Sequence, residues 1–149
     1  MVQVGYLSKT MTPTLLGRWQ TRILLFGTIG LLITAIFAFC IVSPGGTVFW
    51  QVLGYVLLFG LLWDILYTLL QKLRWDHDWP AIFQLLAGIW EAVFVVMLVS
   101  AGILPGIESI NFGWFLVHYT AVWLGIFITS QSLMRIWFPR WRFYGGRWL

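Results

Sequence analysis

The lysines and arginines of this chain are confined to three short patches, and long apolar runs separate the patches. All nine basic residues lie in these patches. They are Lys9, Arg18 and Arg22; Lys72 and Arg74; and Arg135, Arg140, Arg142 and Arg147. The connections 43–46 and 105–111 contain neither residue type. Because Lys and Arg accumulate in cytoplasmic segments beside membrane spans, the pattern predicts four spans with both termini on the cytoplasmic side.

The apolar runs have the length that a transmembrane helix needs, which is about 20 residues. They predict spans at about 23–42, 47–70, 81–104 and 112–134. The fold class expected is an all-α membrane protein, a compact four-helix bundle with short outer loops. Segment 1–22 is expected to be cytoplasmic or interfacial, with a short helix over 14–20 lying at the membrane surface. Segment 135–149 forms a basic and aromatic cytoplasmic tail.

The composition excludes a water-soluble fold and most functions that need a water-soluble domain. The chain is 60% hydrophobic and only 9% charged, against about 45–50% and about 25% in ordinary soluble domains. The net charge of +4 lies at one membrane face, so anionic headgroups are the expected partner and nucleic acid is not. We expect a chain integral to a membrane, of the bacterial inner or thylakoid kind, with its first run retained as a span.

Small residues in the spans indicate where helices approach closely, since packing in lipid depends on short distances between backbones. The six glycines expected at helix contacts are Gly27, Gly30, Gly54, Gly60, Gly88 and Gly125.

Three ionisable residues lie inside the predicted spans: Asp64, Glu91 and His118. Helix rise places them roughly 9, 15 and 24 Å from the cytoplasmic ends of their spans. Charged groups at such depths usually face the bundle interior and are paired. One interpretation is a staggered path for protons or cations, in which Glu91 and His118 are protonatable steps.

The alternative is that these residues make separate polar contacts. Glu91 would then be protonated by desolvation and bond Gln84, Tyr55 or Trp63. His118 would bond Gln51, which lies at a similar depth.

No cofactor and no metal site is predicted. Cys40 is the only cysteine, so a disulfide within the chain and a cysteine metal cluster are excluded. The triplet 76–78 offers too few well-placed ligands for a structural metal. A haem with two histidine ligands is not expected, because His77 and His118 lie at opposite faces, but a pigment held by His118 alone stays open.

The serines lack the G-x-S-x-G context of a hydrolase, and no glycine loop for phosphate is present, so the chain is expected not to be an enzyme. The tail carries the residue types of lipid anchors and of binding hot spots. Its predicted docking residues are Arg135, Trp137, Arg140, Trp141, Arg142, Arg147 and Trp148.

Three functions follow, in order of preference. The first is a non-enzymatic subunit that packs into a larger membrane assembly, with other subunits or copies of itself as partners. The second is a small transporter or proton-conducting component that uses Asp64, Glu91 and His118. The third is a pigment- or quinone-binding subunit of an energy-converting membrane complex.

Overall fold

The computed structural model describes residues 13–41, 47–75, 79–107, 110–138 and 147. This part of the chain is helical and contains no strand. Four of its helices are long and apolar enough to cross a membrane, which confirms the predicted number of spans. The helices are α1 (Leu15–Cys40), α2 (Thr47–Leu73), α3 (Ala81–Ser100), α4 (Phe112–Gln131) and α5 (Leu133–Trp137), the last of which continues the fourth span.

Helix α1 begins earlier than the predicted first span. Thr14 is its N-cap, and the Thr14 hydroxyl accepts a hydrogen bond from the backbone N–H of Gly17 at 3.2 Å. Threonine is a favoured N-cap because its oxygen satisfies one of the unpaired N–H groups of the first turn. Segment 14–20 is therefore not a separate short helix, since it forms the first turns of α1, and its predicted position at the membrane surface stays a prediction. As a result, Arg18 and Arg22 belong to a spanning helix.

Two turns of α1 are wider than an α-helix. Phe26–Gly30 and Phe37–Ile41 are π-helical, and the α-helical stretch Leu31–Ile36 separates them. Such insertions are rare and are frequent at functional sites. They make α1 an irregular helix on both sides of Leu31–Ile36.

Helix α3 ends at Ser100, short of the predicted residue 104, because Gly102 adopts a positive φ of 65°. The N–H of Ile103 bonds the carbonyl of Leu98, and the N–H of Gly102 bonds that of Val99. This pair of bonds is the Schellman motif that closes many helices. On the other side of the loop between α3 and α4, Asn111 caps α4 by accepting from the N–H of Trp114 at 3.2 Å.

Helix α1 packs along α2 and α4, and α3 packs against α2. The buried core joins side chains of all four spans. Its members include Phe26 of α1, Val52, Leu53 and Val56 of α2, Val95 of α3, and Phe115, Tyr119 and Val122 of α4.

Four of the six predicted packing glycines lie at close contacts. A Cβ on Gly30 would meet Leu53 at 3.3 Å, and one on Gly125 would meet Ile33 at 2.7 Å. Gly60 faces the guanidinium of Arg22, and Gly88 faces the indole of Trp123.

The other two glycines are not packing positions. Cβ atoms on Gly27 and Gly54 would have no neighbour within 4 Å, and both glycines are exposed on the outside of the bundle. A periodic pattern of small residues does not by itself tell a lipid-facing side of a helix from a packed one.

Candidate functional site: a buried ion cluster beside a cavity

A single arginine joins two carboxylates inside the bundle. The Arg22 Nε donates to Asp64 Oδ2 at 2.8 Å, and Arg22 Nη2 donates to Asp64 Oδ1 at 3.0 Å. On its other edge, Nη1 donates to Glu91 Oε2 at 3.0 Å and Nη2 donates to Glu91 Oε1 at 3.1 Å. Both contacts are therefore bidentate, the geometry in which a guanidinium holds a carboxylate most strongly. We call these three residues the ion cluster.

The ion cluster connects three helices, because Arg22 lies on α1, Asp64 on α2 and Glu91 on α3. Asp64 and Glu91 are only 3% and 5% exposed. Gly60, one turn before Asp64, leaves room for the guanidinium. Ion pairs buried to this extent are costly unless every partner is hydrogen bonded, and here four of the five guanidinium N–H groups have carboxylate acceptors.

The partners predicted for Glu91 are wrong. Its carboxylate pairs with Arg22, whereas the hydroxyl of Tyr55 donates to the carbonyl of Pro105 at 2.8 Å. The amide of Gln84 donates to Ser130 at 3.4 Å. The sequence hypothesis assigned Arg22 to the cytoplasmic boundary and so missed the residue that joins Asp64 to Glu91.

The third predicted partner of Glu91, Trp63, makes edge-to-face contacts with the rings of Trp90 and Phe94, at centroid distances of 5.8 and 5.3 Å. These rings occupy the contact between α2 and α3.

A cavity of about 730 Å³ adjoins the ion cluster. All three ionisable residues predicted from the sequence, Asp64, Glu91 and His118, line it. One end lies where α1 and α3 begin and α4 ends. We call this end the mouth, and its lining residues are Pro13, Gly17, Trp79, Pro80, Gln131 and Arg135.

At the mouth, polar side chains of α3, α4 and α5 form a chain of hydrogen bonds. Gln131 donates to the Gln84 side-chain oxygen at 3.1 Å, and Gln84 donates to Ser130. Arg135 donates to Gln131. Gln84 was thus predicted as a polar residue inside the membrane, and the structure places it in this network.

Deeper in the cavity, the Tyr67 hydroxyl is buried near Glu91 and lies outside hydrogen-bonding geometry. Tyr119 and Trp123 form part of the wall, and the Tyr119 hydroxyl donates to the carbonyl of Gly88 at 2.7 Å. The cavity wall is therefore partly aromatic, with one hydroxyl that has no acceptor of its own.

His118 lies at the inner end of the cavity and is 1% exposed. Its Nε2 is 2.9 Å from the hydroxyl of Thr34, and its Nδ1 has no hydrogen-bond partner. The rings of Phe37 and Phe49 lie at centroid distances of 5.2 and 4.8 Å. We call His118, Thr34, Phe37 and Phe49 the inner layer.

The predicted bond between His118 and Gln51 is wrong, because Gln51 is exposed and lies against Gly106 in the loop between α3 and α4. A long amide side chain near a helix end reaches the loop more easily than the bundle axis. The rings of Phe37 and Phe49 lie against the His118 ring, and a pigment held by His118 stays a prediction.

The described part of the tail is small. Arg135 lies on α5, Trp137 is 70% exposed, and Arg147 donates to the hydroxyl of Thr14 at 3.3 Å. The four other predicted docking residues, Arg140, Trp141, Arg142 and Trp148, lie outside the described residues. The triplet 76–78 lies outside them too. Within the described ranges, no group of three or more His, Cys, Asp or Glu side chains is placed to hold a metal ion.

No protein-family model, curated protein or solved structure matches this chain.

Proposed function

We propose that this chain is a small, non-enzymatic membrane component that conducts protons through the cavity, with the ion cluster as its proton-binding site. The observation that carries the proposal is that Asp64, Glu91 and His118 all line one cavity. Ionisable residues inside spans that face a cavity are typical of ion and proton pathways.

The charge of the ion cluster supports proton binding. With both carboxylates ionised, the cluster carries two negative charges against the one positive charge of Arg22. An excess negative charge away from water is costly, so the cluster attracts a further positive charge into the cavity.

The inner layer is the second element of the proposal. In this proposal it separates the cavity from the far end of the bundle, and His118 supplies a ring whose nitrogens can accept and donate a proton. The two π-helical segments of α1 lie on either side of Thr34. Such turns are sites at which a helix adjusts its hydrogen bonds, so we assign to α1 the movement that opens the inner layer.

The proposed orientation follows from the basic residues. The mouth lies at the end of the bundle that carries Lys72, Arg74 and Arg135. By the preference of such residues for the cytoplasmic side, the mouth and both termini face the cytoplasm. Localisation in a bacterial inner or thylakoid membrane is part of the same proposal.

The test is proton flux into liposomes that contain the purified protein and an internal pH-sensitive dye, driven by a potassium diffusion potential. The wild type is expected to exceed empty liposomes. Glu91→Gln and Asp64→Asn are each expected to lower the flux by roughly tenfold or more, as the loss of a protonatable step requires. Glu108→Gln, a matched change outside the four spans, is the control and retains the flux. Equal flux in wild-type and empty liposomes would overturn the proposal, as would full flux in both cluster variants.

A further inference from the structure

Arg18 lines the cavity near its mouth and has no carboxylate partner among the described residues. Its Nη2 donates to the side-chain oxygen of Gln71 at 2.7 Å, and its guanidinium carbon lies 4.6 Å from the centre of the Trp79 ring. Its Nε is buried without a hydrogen-bond partner. In contrast to Arg22, Arg18 thus brings to the cavity lining a positive charge that is not paired with a carboxylate among the described residues.

The surroundings of Arg18 are polar at the mouth and apolar further in. Arg135 adds a second positive charge to the mouth, and Gln84 and Ser130 add polar groups. Further in, the wall is formed largely by aliphatic and aromatic side chains, which include Leu25, Phe26, Val52, Val56, Val122 and Ile126. A ligand that satisfies both regions carries an anionic group at one end and an apolar body at the other.

The size of the cavity narrows the class of ligand. Its volume of about 730 Å³ falls inside the range of roughly 300–1,000 Å³ in which proteins enclose drug-sized molecules. An inorganic anion would leave most of the apolar wall without contacts, and hydrophobic burial would then contribute nothing to binding. A single-chain amphiphile fills both regions.

We infer that the cavity binds a single-chain amphiphilic anion, whose carboxylate or phosphate group lies at Arg18 and whose chain follows the apolar wall toward Val52. This inference uses the same cavity as the proposed function but does not depend on proton conduction. An anionic group on a single chain is shared by free fatty acids and by anionic lysophospholipids of the bilayer, and the experiment separates these two sources.

The experiment measures the binding of radiolabelled laurate to the protein in phosphatidylcholine nanodiscs, with empty nanodiscs subtracted. Saturable binding is expected, and dodecanol and dodecyltrimethylammonium are expected to compete at least roughly tenfold more weakly than unlabelled laurate. Competition by dodecanol that equals competition by laurate would overturn the inference, since it would mean that the anionic group is not recognised.

Variants of Arg18 locate the site. Arg18→Gln is expected to weaken laurate binding by roughly tenfold or more, since a charge-assisted contact is lost. Arg18→Lys keeps the charge and is expected to retain most of the affinity, so it decides the question if Arg18→Gln does not fold. Arg74→Gln is the matched control: Arg74 lies at the same end of the bundle but not in the cavity lining, and the change leaves binding intact. Wild-type affinity in Arg18→Gln, or its loss in Arg18→Lys, would overturn the assignment.

Nanodiscs that contain lysophosphatidylglycerol, an anionic lipid with a single chain, identify the source of the ligand. If laurate binding is lost there, a bilayer lipid occupies the site, and if it is unchanged, the site selects free fatty-acid anions. Either result upholds an anionic amphiphile. Laurate binding without proton flux would overturn only the proposed function, and proton flux without laurate binding would overturn only this inference.

Discussion

The guanidinium of Arg22 occupies the space in which a side chain at Gly60 would lie. A Cβ built on Gly60 overlaps Arg22 Nη1, the atom that donates to Glu91. The glycine on α2 therefore decides whether an arginine of α1 can reach a carboxylate of α3. This relationship links the packing of the helices to the charge cluster that we propose as the functional centre.

A methyl group at Gly60 tests that link. We expect Gly60→Ala to displace the guanidinium and lower the free energy of unfolding by about 1–3 kcal/mol, the usual cost of overpacking. The matched control is Gly54→Ala on the same helix, where an added Cβ has no neighbour within 4 Å. Thermal unfolding in detergent, followed by circular dichroism, gives the comparison. Identical melting of the two variants would contradict the packing argument.

Removing one charge of the ion cluster should lower the stability of the protein more than removing all three charges. Arg22→Gln leaves two buried carboxylates without a counter-charge and is expected to cost about 3–5 kcal/mol. Adding Asp64→Asn and Glu91→Gln to this variant removes all three charges, and most of the lost stability should return. Thermal unfolding measures both variants. A triple variant that is no more stable than Arg22→Gln would contradict this, since it would mean that the two unpaired carboxylates are not the cause of the lost stability.

The inner layer should control access to the cavity from the outer face. The test uses Val56→Cys, because Val56 is a buried residue of the cavity lining. Cys40→Ser is added to it, because the native Cys40 is exposed and would react as well. In oriented vesicles, a membrane-impermeant maleimide is expected to label this cysteine from the mouth side alone. His118→Ala should add labelling from the other side, since it removes the ring between Phe37 and Phe49.

The control for this access experiment is His118→Phe, which keeps a ring in the inner layer and should keep the outer side closed. Labelling from the outer side in the parent protein would show that the inner layer is not a barrier.

The first function expected from the sequence, a subunit of a larger assembly, stays a prediction. Truncation of the tail tests it. Removal of residues 139–149 leaves α5 intact and is expected to preserve folding while releasing the chain from partner subunits. Native gels of mild-detergent extracts, followed by mass spectrometry, measure the association. A truncated chain that still migrates with partners would show that the tail is not the docking segment.

The cytoplasmic position of both termini is a separate prediction. Reporter enzymes fused after Leu149 and inserted into the loop 105–111 should be active on opposite sides of the membrane. The same activity at both positions would mean that an even number of spans separates the two sites, in contrast to the single span Phe112–Trp137 of the bundle that we describe.

The sequence alone determined the number of spanning helices and the residues that cannot face lipid. Length and hydropathy suffice for the first, because the thickness of the bilayer sets the length of a helix. Charge suffices for the second, since Asp64, Glu91 and His118 are costly in hydrocarbon wherever they point.

Only the tertiary structure decided which polar residues meet. Arg22 is a boundary residue when the sequence is read along the chain, yet it joins Asp64 and Glu91 across three helices. His118 meets Thr34 instead of Gln51. The physical reason is that such partnerships depend on how each helix is rotated about its own axis. That rotation is set by the sum of many weak contacts between helices, including the space left at Gly60, and no local pattern of residues encodes it.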